Sequence, residues 1–498
     1  MNRTRNTAAA VLATAALLAC VGGMGQGLAA AQPAPSQTPE VRPPGVPPPV
    51  NPALVPSAAT AAVMPFDNSK PARGLRQVSG PQLGNRGCVA AGTLPEVADT
   101  VENQPWGQRR LRLEELHRFA TGAGQTVAVI DTGVTEHPRL AGRLAPGGDY
   151  VEGPTGGLDD CDGHGTVVAG IIAASKDASG ATAFQGIAPN AKILSIRQSS
   201  AVLEVRYCCD GQGRELDEAG VGDTTSLALA VVRAVELGAT VINISEAACV
   251  AATADQVNGA DLQAAVHHAV ERNVVVVAAA GNVGPTCSTA NSEGVVNMVA
   301  SPAWFDDDVL TVGAIAESGE PAQFTFFGPW VDVAAPGTDI TSLDPVRGSD
   351  RLTNFTVTAD GTEGLIQGTS FATPYVAGLA ALIKERFPEL TARQVMERIE
   401  RTALQPAGRE GHNDALGHGM IDPVAALTDV LPSEQGIQPA PIEAARLENL
   451  IPQPVKDPFP TKVALAGAGA GLLALAVTGF VVYTVQRARR RHHPAQAG

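Results

Sequence analysis

The sequence has no basic stripe interleaved with aromatic residues. It carries 35 Lys+Arg against 50 Asp+Glu, a formal net charge of -15. A nucleic-acid-binding face needs the opposite sign, which excludes nucleic acid as the main partner. Charge of either sign is sparse. Only 17% of residues are charged and 44% are hydrophobic, so the chain has the means to build a packed core. Cysteines in Cys-x-x-Cys spacing are missing as well, so no zinc site is expected. Nothing in the sequence calls for a cofactor, and no cluster of oxygen ligands is clear enough to assign to calcium.

Long apolar runs are few, and both lie near the ends. Arg3 and Arg5 precede an apolar stretch from Ala8 to about Val21, and Ala29-Ala30-Ala31 follows. A basic start, an apolar middle and small residues make a secretory signal, with cleavage expected after Ala31. The second run, Val463 to Val485, is 23 residues long without a charge. At about 1.5 Å per residue it spans the ~30 Å hydrocarbon core of a bilayer. Arg487, Arg489, Arg490 and Arg491 follow directly and predict a cytoplasmic tail. The expected product is a single-pass protein of the cytoplasmic membrane with its body outside. Gly467 and Gly471 have the spacing of a helix-pairing face. No Leu-Pro-x-Thr-Gly wall-sorting motif precedes the span.

Removing Cys20 with the signal leaves Cys88, Cys161, Cys208, Cys209, Cys249 and Cys287. An even number in an exported chain reads as disulfides.

Residues 32–60 are rich in proline and are expected to be extended or disordered. Residues 61–110 are irregular, polar and Gly-rich and read as an extension over the surface of a domain, the extension as a whole covering 32–104. Trp106 to Phe119 has a helix-like pattern. Thr126-Val-Ala-Val-Ile130 then reads as a buried parallel strand. Alternation follows. Helices are expected at Gly165–Ala174, Thr225–Leu237, Ala260–Arg272, Ser370–Phe387 and Thr391–Thr402. Strands are expected at Lys192–Arg197, Val241–Ile244, Val274–Ala279 and Val309–Ile315. Such alternation predicts an α/β fold, mainly a parallel sheet with helices on both faces, over residues 105–430. Two insertions, 198–224 and 339–366, interrupt it. A Pro-rich linker covers 431–462, the membrane helix 463–485 and the basic tail 486–498.

Gly368-Thr369-Ser370-Phe371-Ala372-Thr373-Pro374 opens the longest of these helices. A serine between small residues at a helix start suits a hydroxyl nucleophile and the oxyanion it creates. Such a serine needs a base, and the base needs an orienting carboxylate. Asp131 ends the first buried strand, in Asp131-Thr132-Gly133. This triplet is also the mark of aspartic proteases, but those need two, and no second copy exists. His164 stands in Asp162-Gly163-His164-Gly165-Thr166 at a helix start, where two glycines keep the ring approachable. His267, His268, His412, His418, His492 and His493 lie in polar or terminal contexts and read as solvent-facing. Asn282 ends the strand Val274–Ala279, where its amide can donate to an oxyanion.

The order Asp131, His164, Asn282, Ser370 is that of the subtilisin arrangement. Through Val-Ile-Asp131-Thr-Gly, Gly-His164-Gly-Thr, Ala-Ala-Gly-Asn282, Ala335-Pro336-Gly337 and Gly-Thr-Ser370-Phe-Ala-Thr-Pro, residues 105–430 resemble the subtilisin-like serine proteases. The signal, the Pro-rich extension, the segment around Trp106-Gly-Gln-Arg-Arg-Leu, the linker and the C-terminal span resemble the mycosins, subtilases tied to type VII secretion. The resemblance implies a protein substrate and an acyl-enzyme mechanism. Asp131, His164 and Ser370 would form the triad, with Asn282 in the oxyanion hole. It also implies partners in the secretion membrane complex, and an extension that wraps the catalytic domain and need not be removed.

One departure stands out. Many subtilases have Ser-Leu-Gly-Gly at a cleft wall, where this chain has Ser245-Glu246-Ala247-Ala248. Ser245 is retained as a wall residue, while Glu246 and a nearby disulfide would alter the cleft shape and predict narrow specificity. Cys161 lies three residues before His164, and Cys88 is the sole cysteine of the extension, so these two are expected to pair. Cys249 is expected to pair with Cys208 or Cys209, and the partner of Cys287 is open.

Overall fold

The computed structural model describes residues 46–62, 74–77, 88, 91–92, 104–151, 155–206, 219–252, 259–284, 287–288, 291–292, 295–357, 363–405, 411–435 and 459–491. They fall into two units, the first ending at Leu431. The first unit is built on seven strands: β1 (Thr126–Asp131), β2 (Leu144–Asp149), β3 (Lys192–Arg197), β4 (Val241–Ile244), β5 (Val275–Ala279), β6 (Leu310–Ile315) and β7 (Val333–Pro336). They pair in the order β7-β6-β5-β4-β1-β3-β2, all parallel. Continuous runs of apolar residues keep all but the edge strand β2 buried along nearly their whole length, as a sheet covered on both faces requires.

The five longest helices of this unit among the described residues are α1 (His164–Ala173), α2 (Thr224–Glu236), α3 (Ala260–Glu271), α4 (Thr369–Arg386) and α5 (Ala392–Thr402). α1 packs on α4, α2 packs on α3, and both pairs lie against strands of the sheet. α4 is almost wholly buried, so its apolar run has no polar face. Asp223 caps α2 and Thr391 caps α5, each closing a capping box.

Register decides where the chemistry can sit. Ile130 of β1 faces Ile244 of β4, and Ile244 faces Ala278 of β5. The carboxyl ends of three central strands therefore share one edge, and the chain segments that leave them converge there. β1 lies inside the sheet with later strands on either side, so the crevice opens at a reversal of strand order.

The span Trp106 to Phe119 is not one helix. It breaks into Trp106–Arg110 and Leu113–Leu116, because Arg112 takes a left-handed conformation at φ 56°. Residues 51–62 also depart from the extended reading. Pro52–Leu54 is a single helical turn capped by Asn51, and Ala58–Ala62 is a short helix packed on α2.

Both insertions hold the extension. Ser200–Arg206 pairs antiparallel with Gly74–Gln77. Phe355–Val357 pairs with Ala91–Gly92. Side chains add to this: Gln263 donates to the Pro48 carbonyl at 2.6 Å, and Tyr150 donates to the Ala61 carbonyl at 2.6 Å. Cys88 and Cys161 are bonded, which fastens the extension three residues from His164.

The second disulfide corrects the expectation for Cys249. It joins Cys287, not Cys208 or Cys209, which lie outside the described residues. The reason is a strand pairing that sequence does not reveal: Ala248–Ala251 runs antiparallel to Met298–Ser301. That pairing holds Cys249 beside the loop that carries Cys287.

The second unit contains the helix Phe459–Arg491. Its stretch Ala464–Arg489 is the one helix among the described residues long and apolar enough to cross a membrane, with a mean hydropathy of 2.1.

Candidate active site

Asp131 is the last residue of β1 and is fully buried. Its Oδ1 accepts from His164 Nδ1 at 2.7 Å and from the Thr132 amide at 2.8 Å. Oδ2 is buried and takes no hydrogen bond among the described residues. His164 is the first residue of α1, and its side chain keeps 24% of its exposure. A glycine must follow it. A Cβ on Gly165 would stand 2.1 Å from the Gly133 carbonyl oxygen, so any larger residue would push α1 off β1.

Asp160 locks this junction. Its Oδ1 accepts from the Thr132 hydroxyl and the Gly163 amide, both at 2.8 Å. Its Oδ2 accepts from the Thr166 amide at 2.7 Å and the Thr166 hydroxyl at 2.6 Å. The Thr132 oxygen in turn accepts from the Gly165 amide at 3.0 Å. One acid thus ties the residue after Asp131 to the first turn of α1. The sequence reading overlooked Asp160. Its signal was the acidic run Asp159-Asp160-Cys161-Asp162 just ahead of His164.

Ser370 is the second residue of α4 and is 7% exposed. The preceding Gly368 has φ 154°, and a Cβ there would sit 3.0 Å from Ser370 Oγ and 3.5 Å from Asn282 Nδ2. The hydroxyl and the amide nitrogen therefore flank one small space that only glycine leaves open. The Asn282 orientation is fixed through its other atom. Oδ1 accepts from the Thr369 amide at 3.0 Å and the Thr369 hydroxyl at 3.2 Å, which leaves Nδ2 to donate.

Pro374 explains a further contact. It has no amide proton for the Ser370 carbonyl, four residues back in the helix. The Ser245 hydroxyl donates to that carbonyl instead, at 2.8 Å. Asn243 Nδ2 donates to Ser245 Oγ at 2.9 Å, so the end of β4 holds the turn that carries Ser370. Ser245, expected at the cleft wall, has its side chain buried against the turn that carries Ser370. Phe371, which the motif reading passed over, stacks on His164 with ring centroids 4.8 Å apart.

Desolvation alone would lower the His164 pKa. The Asp131 charge and hydrogen bond, then Glu246 and Asp160, outweigh it and push it up to about 9. Burial raises Asp160 to about 6 against the pull of its hydroxyl and amide donors. Burial also raises Glu246, and the neighbouring Asp131 charge raises it further. Asp131, His164 and Glu246 have ligand-type atoms within 4.8 Å of one another. A cation there would compete with the proton that His164 shares with Asp131.

Other histidines differ from their solvent-facing reading. His267 Nδ1 lies 2.9 Å from Asp308 Oδ2, and His412 Nε2 lies 2.9 Å from the Val331 carbonyl. His492 and His493 lie outside the described residues. His137 is buried, and its Nδ1 accepts from the Arg139 amide.

Residues 122–419 match the model of the subtilase family. The chain is 41% identical to mycosin-1 of Mycolicibacterium smegmatis over 78% of its own length and 87% of the relative's. It is 45% identical to mycosin-4 of Mycobacterium tuberculosis over 78% and 82%. Its structure resembles the crystal structure of MycP1 from Mycobacterium smegmatis, with TM-score 0.66, 36% identity, and coverage of 81% of this chain and 99% of that one. It also resembles a chain of an intact ESX-5 inner membrane complex, with TM-score 0.68, 36% identity, and coverage of 88% and 99%. A parallel seven-stranded sheet with an acid, a histidine, an amide and a serine along one edge is the subtilisin-like fold, and the chain belongs to the subtilase family and, within it, to the mycosins.

Proposed function

We propose that this serine endopeptidase cleaves a protein substrate through an acyl-enzyme on Ser370. Ser370 Oγ attacks the scissile carbonyl. His164 takes its proton through Nε2, the nitrogen not engaged with Asp131, and later gives it to the leaving amine. Asp131 orients the ring and stabilises the imidazolium. The Ser370 amide at the α4 N-terminus and Asn282 Nδ2 hold the oxyanion. The reading rests above all on the 2.7 Å bond between His164 Nδ1 and Asp131 Oδ1, beside a serine at a helix start. Its test is turnover of a cleavable peptide by the Ser370→Ala variant. Loss to background is expected, and unchanged cleavage would refute the assignment.

The proposed organisation is a signal over 1–31, a wrapping extension over 32–104, the peptidase over 105–430, a linker over 431–462, a span over 463–485 and a basic tail over 486–498. The body lies outside the cytoplasmic membrane and the C-terminus inside. Four arginines directly after the span support this orientation. Cysteine labelling of the tail in intact and in permeabilised cells tests it; a tail labelled in intact cells would reverse the topology.

The likeness to a chain of the ESX-5 inner membrane complex supports association with a type VII secretion membrane complex. The same likeness favours a second, structural role for the folded domain. Secretion that survives Ser370→Ala but not deletion would separate the structural role from the proteolytic one.

A further inference from the structure

Glu246 has no function in the triad, yet it lies beside it. It follows Ser245, whose hydroxyl supports the Ser370 turn, and it is half-buried. Its carboxylate lies within 4.8 Å of ligand-type atoms of both Asp131 and His164. Three of the neighbouring acids are committed. Asp160 is saturated by Thr132, Gly163 and Thr166. Asp162 accepts from Ser200 Oγ at 2.7 Å and from the amides of Ala201 and Val202 at 2.6 and 3.0 Å. Asp223 caps α2 through the Ser226 amide at 2.6 Å. Glu246 Oε1 accepts from the Ser199 hydroxyl at 3.2 Å. Among the described residues, no lysine or arginine forms an ion pair with it.

A carboxylate withdrawn from water normally finds a cation or several donors. This one instead borders an open cleft of about 150 Å³, together with Ser199, Val221, Gly222, Asp223 and Ala247. Leu227 and Val221 give the cleft an apolar wall, Gln198, Ser199 and Thr224 a polar one, and among the described lining residues there are two acids and no base. It has room for an unbranched side chain with a charged tip. The ligand that enters the crevice beside His164 is the substrate itself.

We propose that Glu246 is a specificity-determining residue that receives the ammonium or guanidinium of a lysine or arginine close to the scissile bond of the substrate. This deepens the protease reading and rests on it. The bound cation completes the ion pair that the fold leaves open. It also offsets one of the negative charges that hold a proton on His164; the groups facing that ring are Asp131, Glu246 and Asp160. Those facing Glu246 are Asp131, His164 and Asp162. A cationic substrate therefore frees the base as it binds.

The test is a peptide series with lysine, or its neutral isostere norleucine, at each of three positions on either side of the cleaved bond. At one position lysine should raise kcat/KM by about tenfold or more, as close charge pairs in binding sites do. In Glu246→Gln that ratio should fall to within about twofold. The acid limb of kcat should also lie at lower pH for the lysine peptide than for the norleucine peptide. No lysine preference at any position in the unaltered protein, or a preference that persists in Glu246→Gln, overturns the proposal. Should Glu246→Gln fail to fold, the unaltered protein alone decides through the lysine-to-norleucine ratio. Should turnover be too slow to measure, protection of Ser370 from a fluorophosphonate by the two peptides replaces it, and equal protection overturns the proposal. A fluorophosphonate adduct away from Ser370 is a separate result, which brings down the catalytic reading and this proposal with it.

Discussion

The two ends of the central sheet both gather acids, and they treat them in opposite ways. At the carboxyl end, Asp131 and Asp160 receive a histidine, amides and hydroxyls. At the amino end, Asp332 precedes β7, and its side chain accepts one amide, that of Thr311, at 2.6 Å. Its neighbours are Glu400 and Asp306. Desolvation raises all three, and like charges add to it: Glu400 and Asp306 on Asp332, Asp307 on Asp306, and Asp306 and Glu397 on Glu400, which rises to about 7. The difference teaches that acid content alone does not mark a catalytic edge. Nor does an acid–histidine pair, since His267 and Arg393 meet the buried Asp308 just ahead of β6. What sets the carboxyl end apart is that Asp131, His164, Asn282 and the Ser370 turn converge there, whereas Asp332, Asp306 and Glu400 gather like charges.

Breaking the catalytic end should have the largest effect. Ser370→Ala should lower kcat on a peptide substrate by about 10⁴-fold or more, with the melting temperature unchanged within a few degrees. Asn282→Ala should lower kcat by about 10²–10³-fold and leave KM little altered, measured by steady-state kinetics. A large rise in KM instead would make Asn282 a substrate anchor.

A smaller effect sharpens the electrostatic contrast. In the proposed mechanism His164 must be neutral to take the Ser370 proton, and its pKa is pushed up to about 9. Activity should therefore rise with pH through about 9, rather than through 6.5, and be lost as pH falls. Removing the Glu246 charge should move this limb of kcat/KM towards 6.5. A limb that stays put in Glu246→Gln would detach Glu246 from the base.

The amino end should respond in stability rather than rate. Because the folded pKa of Glu400 is raised from 4.5 to about 7, its neutral form is favoured in the fold. The stability this brings is complete below about pH 4.5 and lost as pH rises through about 7. Glu400→Gln should thus stabilise the protein at pH 8 by about 1–2 kcal/mol, a rise of a few degrees in Tm, with no gain at pH 4. Thermal melting at the two pH values checks it; equal shifts at both would mean that packing, not charge, is responsible.

Much of the catalytic end was legible in the sequence, for a physical reason. Buried parallel strands are apolar runs, so Thr126-Val-Ala-Val-Ile130 and Val275–Ala279 declare themselves, and the polar residue that ends each run is exceptional. Asp131 and Asn282 are such residues. The serine and histidine sit at helix starts between small residues, which is also a local pattern. What was not legible depends on pairing across the sequence. The Cys249–Cys287 bond follows from the pairing of Ala248–Ala251 with Met298–Ser301. The break at Arg112 lies in a stretch whose apolar spacing fits a single helix. The hub role of Asp160 comes from the fold of its own loop against Thr132 and Thr166, where an acidic run reads as a solvated turn. The docking role of the insertions required partners from an extension over a hundred residues away.

Fluorophosphonate labelling followed by peptide mass spectrometry, repeated from pH 6 to pH 10, tests the catalytic end most directly. The account predicts a single adduct on Ser370 whose rate of formation climbs with pH through about 9. An adduct on another residue, or a rate already at its plateau by pH 7, would contradict it.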